Sequence, residues 1–130
     1  MRTEIIQHLQ TQALGAYTVS TELPWTSNGE PLYHNNPKVI YVDEVETDQE
    51  VIVQILNGSD VIKTIATVNA YVVNDAKTLP TDYDTVKTVL LDTKDITTIG
   101  DVIDRECDIT SSYNSDALVT SVVYRFTTIN

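Results

Sequence analysis

The sequence predicts an α+β domain: a mainly antiparallel β-sheet of about four to five strands with two α-helices packed on one face. One observation behind this is the stretch 61–73, which is rich in β-branched residues and alternates with period two. The other is a pair of segments, 2–14 and 81–92, that carry apolar residues at helical spacing. No linker, repeat or low-complexity tract divides the chain, so we expect a single domain over residues 1–130.

The strand predicted at 61–73 has two different faces. The apolar face comprises Ile62, Thr64, Ala66, Val68, Ala70 and Val72. The mixed face comprises Lys63, Ile65, Thr67, Asn69, Tyr71 and Val73. An apolar face opposite a mixed one is typical of an antiparallel sheet with one side on a core. The two predicted helices supply the cover for that side.

The remaining elements are placed by turn signals and by periodicity. Gly15 suits a C-terminal cap for the first helix, and Thr81 an N-cap for the second. Asn57-Gly58 tolerates the positive φ of a tight hairpin turn before residue 61. Other strands are expected at 38–46, 51–56, 102–109 and 118–128, with a short strand pattern at 16–21 and a loop at 22–37.

The charge balance is strongly acidic. Asp and Glu number 19 against 8 Lys and Arg, a formal net charge of -11. Proteins that grip the nucleic-acid backbone use Lys and Arg, and so do proteins that dock on anionic membranes, so we expect neither activity. No apolar run approaches a membrane span and no signal peptide is apparent. The composition fits a surface that nucleic acid must pass without adhering.

No catalytic, cofactor-binding or metal-binding residue is predicted. His8 and His34 are the only histidines, and neither has a second ligand at zinc spacing. Cys107 is the only cysteine, which excludes an internal disulfide, and its acidic neighbours disfavour a thiolate nucleophile. The aspartate clusters lack the spacing of a calcium loop and the apolar frame of an acid/base pair.

Two other features have a structural and a functional interpretation. Trp25, in the long loop with Tyr33, either caps the end of the core or anchors an interface; in the second case Trp25→Ala weakens assembly more than the fold. An acidic run follows the strand at 38–42: Asp43, Glu44, Glu46, Asp48 and Glu50. These acids either keep an edge strand soluble or face a shared space in an assembly.

The order of elements adds a family resemblance. A short helix, a loop ending in Pro37, the strand Lys38-Val39-Ile40-Tyr41-Val42, an acidic hairpin region, a long strand, a helix and the closing strand 117–126 follow one another. This arrangement, together with the length and the acidity, resembles the tail terminator proteins of long-tailed bacteriophages, also called tail completion or minor tail proteins.

The resemblance implies a structural virion protein without catalysis or cofactor. Members of the family form a hexameric ring that caps the tail-tube protein, ends tube polymerisation and meets the head–tail connector. DNA passes through the ring without specific binding, and assembly occurs in the host cytoplasm. On this basis the five acids of the run face the lumen or a rim. Subunit contacts are expected at the loop aromatics and the mixed strand face: Trp25, Tyr33, Ile65, Tyr71 and Val73.

The sequence leaves three alternatives open. In the first, the chain is a tail terminator or another phage neck or head–tail connector protein, since these proteins have similar sizes. In the second, it is a monomeric module that binds a protein partner through the Trp25 loop. In the third, it is a small enzyme that uses carboxylates, which the missing acid/base frame disfavours.

Overall fold

The computed structural model of the protein describes residues 1–55, 58 and 60–130. Within these residues two α-helices and a six-stranded sheet form an α+β fold. The helices are α1 (Arg2–Gln10) and α2 (Tyr83–Asp92). The strands are β1 (Thr18–Val19), β2 (Val39–Val42), β3 (Glu46–Val53), β4 (Val61–Asp75), β5 (Asp104–Asn114) and β6 (Ala117–Ile129). Short 3-10 helices lie at Leu32–Asn35 and Thr93–Asp95.

β4 is the centre of the sheet. β6 pairs antiparallel along one side of β4, and β5 pairs antiparallel with β6. The other side of β4 is shared by two strands, because β2 pairs with its residues 70–71 and β3 with its residues 61–67. β1 extends the sheet beside β2 and runs parallel to it. The α+β class and the two helices are confirmed. The mainly antiparallel sheet is confirmed in part, because β1 runs parallel to β2, and the described residues form six strands where about four to five were predicted.

One face of the sheet, which we call the core face, carries the main core. Val68, Ala70 and Val72 of β4 alternate into it and are at most 1% exposed. On β6, Tyr124 and Val122 pair with Val68 and Ala70, and Phe126 pairs with Ala66, so the apolar surface continues across both strands. Both helices cover this surface, with buried residues at helical spacing: Ile5, Ile6 and Leu9 on α1, and Tyr83, Val86 and Leu90 on α2. The apolar face predicted for 61–73 is therefore the core face.

A smaller second core lies on the opposite face. Tyr33, Tyr41, Val73 and Val119 are buried together there, with Tyr71 packed against them. Tyr33 belongs to the 3-10 helix inside the 22–37 segment. The long loop thus folds back over the end of β4 and covers apolar side chains that a two-layer fold would leave in water.

Several predicted boundaries are wrong for local reasons. α1 ends at Gln10, four residues early, and the Thr11 hydroxyl donates to the His8 carbonyl there. Gly15 is not its cap; its positive φ of 58° turns the chain against the Asp82 carboxylate, where a Cβ would clash. Asp82, not Thr81, is the N-cap residue of α2. The turn predicted at Asn57-Gly58 includes Asn57, which lies outside the described residues.

The strand boundaries also differ from the predictions. The acidic run continues as β3 through Val53, although acidic residues are poor strand formers, because β4 pairs with it. β5 and β6 meet in a tight hairpin at Ser115, whose φ is 55°, so both strands are longer than predicted.

Candidate functional site

The second face of the sheet is open beyond the small core and is rich in carboxylates. Strand pairing aligns Glu46 of β3 with Thr67, Thr67 with Arg125 of β6, and Arg125 with Glu106 of β5. Directly paired residues of an antiparallel sheet share a face. The same face therefore carries one acidic row on each outer strand, which together we call the acidic face: Glu46, Asp48 and Glu50 on β3, and Asp104, Glu106 and Asp108 on β5.

Two cations lie on the acidic face between the rows. Arg125 Nη1 donates to Asp108 Oδ2 at 2.9 Å, which offsets one charge of the β5 row. Lys63 is the register partner of Glu50. None of the salt bridges between described residues involves the three acids of β3. The face therefore keeps an excess of negative charge, because six carboxylates face two cations.

The spacing of the carboxylates on the acidic face suits a broad negative electrostatic field rather than a catalytic centre. Two strands separate the rows, and at about 4.8 Å per strand spacing the rows lie roughly 14 Å apart. Carboxylates so far apart do not share a proton or a metal ion. Among the described residues no group of three or more His, Cys, Asp or Glu side chains is arranged to hold a metal.

β3 is exposed along its whole length. All eight residues, Glu46–Val53, are solvent-exposed, and the strand pairs only with β4 within the described chain. Its last residues are apolar, with Val51 48%, Ile52 42% and Val53 51% exposed. The register with β4 shifts at Ile52, which marks a β-bulge. An acidic half and an apolar half thus follow each other on one free edge.

The predicted interface aromatics form a cluster within the chain. The Trp25 ring meets Tyr33 and Tyr71 edge-on, with ring centroids 5.8 and 5.6 Å apart. Tyr33 stacks on Tyr71 at 4.9 Å. Burial raises the pKa of both tyrosines above the ordinary value. Trp25 Nε1 also donates to Asp43 Oδ2 at 2.9 Å, so the first acid of the run is held by the loop.

The contacts within this cluster determine how much of each predicted interface residue stays exposed for another subunit. Tyr33 and Val73 are 7% and 4% exposed, because both pack in the small second core, and this leaves little of their surface for a neighbour. Trp25 keeps 37% exposure. Ile65 and Tyr71 are half-buried, and Ile65 lies on the open part of the acidic face, opposite Asp48. Contact of all five residues with another subunit stays a prediction.

Asp43 and Glu44 are separated from the other acids of the run. Both precede β3, and Glu44 is exposed. Glu46, Asp48 and Glu50 project together from the sheet, as period two requires. The predicted group of five acids is therefore one row of three on a strand and a pair at its start.

Cys107 lies on the core side of β5. Burial, and secondarily the negative charge of Asp108, raises the pKa of its thiol to about 11. The thiol is therefore protonated at neutral pH, which suits packing rather than nucleophilic attack. His8 is half-buried on α1 and His34 is exposed, with its ring edge-on to Tyr33.

An open cleft of about 560 Å³ separates α1 from the segment after α2. Glu4, His8, Asp92 and Asp95 contribute polar atoms to its walls. Both aspartates are exposed, so the cleft does not supply the buried, low-dielectric frame that an acid/base pair needs.

Arg105 is a structural residue that the sequence did not single out. It stands among acids on β5 but points to the core side, where its guanidinium donates to the carbonyls of Lys94 and Ile96 at 3.0 Å and to that of Ile99. It also lies 6.0 Å from the Phe126 ring. These bonds hold the segment after α2 against the sheet. The sequence pattern that could have revealed this role is the alternation of β5, which puts Arg105 on the same side of the strand as its core residues.

Comparison with protein families and with curated proteins finds no match to this chain. The resemblance to phage tail terminators therefore rests on element order, length and acidity. Neither described helix is long and apolar enough to cross a membrane.

Proposed function

We propose that this chain is a structural virion protein: the subunit of a ring, hexameric in the family it resembles, that caps the tail tube of a long-tailed phage. The ring ends tube polymerisation and joins the tail to the head connector. The observation that carries the proposal is the acidic face, which gathers six carboxylates on one open side of a sheet. A virion location, assembly in the host cytoplasm and the absence of catalysis belong to the same proposal.

The acidic face supports the proposal through electrostatics. In a ring whose lumen is lined by this face, phosphates meet carboxylates on every subunit. Repulsion keeps the DNA from adhering, so it slides through without specific binding. The three acids of β3 suit the lumen or a tube-facing rim, and Glu44 suits the rim beside them. Asp43 has a second role there, because it accepts the indole N–H of Trp25.

The exposed apolar residues support an assembly. Val51, Ile52, Val53 and Ile55 are each 42–51% exposed at one end of the sheet. Exposed apolar residues grouped along the chain in this way are typical of a protein contact. In the proposed ring the half-buried Ile65 meets a neighbouring subunit, and this end of the sheet meets a different protein, such as the tail-tube protein.

Native mass spectrometry tests the ring directly. We expect a closed oligomer at tens of micromolar, either from the protein alone or after addition of tail-tube protein. A strict monomer under both conditions would overturn the proposal. Negative-stain images of the same sample show whether the oligomer has a central hole.

A charge variant tests the lumen. In the ring, E46Q/D48N/E50Q removes three negative charges per subunit from the face proposed to line the hole. We expect this variant ring to retain linear double-stranded DNA that the wild-type ring does not retain at low salt. The matched control is D84N/D92N/D95N, which removes the same charge from exposed positions on α2 and the 3-10 helix after it, on the opposite side of the sheet. Equal retention by both variants would show that only net charge matters.

A second candidate is a monomeric module that binds a protein through the Trp25 loop. Leu23 and Trp25, each 37% exposed, support it. The mass measurement separates the two candidates, because the module needs no ring. Another neck or connector protein also fits the chain, and binding to head-connector protein but not to tail-tube protein identifies that case.

A further inference from the structure

The outer edge of β3 has free backbone groups. β3 hydrogen-bonds β4 on one side, and no described residue pairs with the other side. Such an edge presents a row of N–H and C=O groups to which an added strand can bond. The row runs for up to eight residues, Glu46–Val53, with the bulge at Ile52 near its end.

The side chains of β3 protect only part of its edge from pairing with other strands. Acidic residues on an edge strand discourage pairing with other strands, and Glu46, Asp48 and Glu50 have that effect in the first half. Val51, Ile52 and Val53 carry no such protection and are about half exposed. An edge that serves solubility alone would carry charge in that half as well. The apolar half therefore favours an occupant.

A second copy of the chain is a poor occupant along the length of β3. Antiparallel pairing of two β3 strands centred on the acidic half places Asp48 of one copy opposite Glu50 of the other, or Glu50 opposite Glu50. Like charges directly opposite each other destabilise a strand pair. Pairing β3 with the edge of β5 meets the same difficulty, because that edge carries the other acidic row.

The edge of β5 lacks the features that favour an occupant on β3. Its Asp108 is already paired with Arg125. After its acids the strand continues with polar residues, Thr110, Ser111 and Ser112, rather than with an exposed apolar run. The two edges thus offer a comparison within one molecule.

We propose that the free edge of β3 binds an extended segment of a different protein by strand addition. Lys or Arg at alternate positions of that segment meets the row Glu46, Asp48 and Glu50, and apolar residues meet Val51 and Val53. Backbone hydrogen bonds supply the affinity, and the order of basic and apolar halves supplies the specificity. In the proposed virion role, such a segment comes from a partner at the rim of the ring.

A synthetic peptide as long as β3 tests this edge. Its apolar half comes first and its alternating Lys half last, the order that antiparallel addition requires. We expect saturable binding to the full chain by calorimetry. On binding, amide hydrogen exchange should slow in β3 and should stay unchanged in β5. A scrambled peptide of the same composition binds at least about tenfold more weakly, because its charges and apolar residues leave register.

N-methylation separates strand addition from charge attraction. Methyl groups on the peptide amides that face β3 remove the hydrogen bonds between peptide and β3 and should abolish binding. Methyl groups on the peptide amides that point away from β3 should leave binding unchanged. Equal binding by both methylated peptides would overturn the proposal. A β3-mediated dimer of the protein that excludes the peptide would overturn it in favour of a second copy.

Variants locate the site. E46Q/D48N/E50Q should weaken peptide binding about tenfold, and D104N/E106Q/D108N on β5 should not change it. The reverse result would place the site on β5. Peptide binding requires no ring, so it tests this inference separately from the tail-terminator proposal, which the mass measurement decides.

Discussion

The two ends of β4 differ in how much of them the chain covers. Around residues 70–73, helices α1 and α2 cover one face and the 22–37 segment covers the other, so Val72 and Val73 are both buried. At residues 61–65 every side chain is half-buried, and β3 beside them is wholly exposed. The covered end holds the fold together. The uncovered end is free to meet other molecules without a cost to the core.

Two isoleucines on the same side of β4 give the largest contrast. Ile40 of β2 is 0% exposed and Ile52 of β3 is 42% exposed. Ile40→Ala should lower the free energy of unfolding by about 2–5 kcal/mol, because it leaves a cavity in the core. Ile52→Ala should lower it by less than about 1 kcal/mol. Urea unfolding followed by circular dichroism measures both, and equal losses would show that the two ends are equally packed.

Two arginines on neighbouring strands compare the two faces of the sheet. Arg105 donates to three carbonyls on the core side, whereas Arg125 forms one exposed pair with Asp108. Arg105→Ala should cost about 2–3 kcal/mol, because it leaves half-buried carbonyls without their charged donor. Arg125→Ala should cost less than about 1 kcal/mol.

A lysine control sharpens this comparison. Arg105→Lys keeps the charge but lacks the planar fork, so it should recover only part of the stability. Full recovery in urea unfolding would mean that charge alone matters at this position. A loss at Arg125 as large as the loss at Arg105 would contradict the difference between the faces.

The aromatic cluster sets a third contrast. Trp25→Ala removes two edge-on aromatic contacts and should cost roughly 1–3 kcal/mol, since each is worth about 0.5–1.5 kcal/mol. Tyr113, 74% exposed, is the matched control, and Tyr113→Ala should change stability by less than about 0.5 kcal/mol. Thermal unfolding measures both. If Trp25→Ala also reduces ring formation at temperatures where the variant is folded, Trp25 contacts a neighbour as well.

The predictability of the fold follows the same division. Period two in β4 and helical spacing in α2 are local patterns, so the sequence predicts these elements and their buried residues well. The cover that the 22–37 segment gives to Tyr71 depends on the chain folding back over a distant strand, which no local pattern contains. Only the register of β3, β4, β6 and β5 brings the two acidic rows to one face. Composition predicted the acidity but not that arrangement.

A buried hydrogen bond at the covered end gives the smallest contrast. Tyr17, 4% exposed, donates its hydroxyl to Asn74 Oδ1 at 2.6 Å, and Asn74 is 0% exposed. Burial chiefly, with Asp82 nearby, raises the pKa of Tyr17 from 10.0 to about 12. Tyr17→Phe should therefore cost roughly 1 kcal/mol at neutral pH, the value of one such bond.

The same pair should make stability depend on alkaline pH. Above pH 10 the unfolded chain releases the Tyr17 proton while the folded chain holds it until about pH 12. The folded state binds more protons in this window, so this contribution to stability is complete below pH 10 and is lost as the pH rises to 12. Tyr17→Phe should flatten that decline. The decline should shrink rather than vanish, because burial also raises the pKa of Tyr124. Parallel curves for wild type and Tyr17→Phe would show that this hydroxyl does not titrate with unfolding.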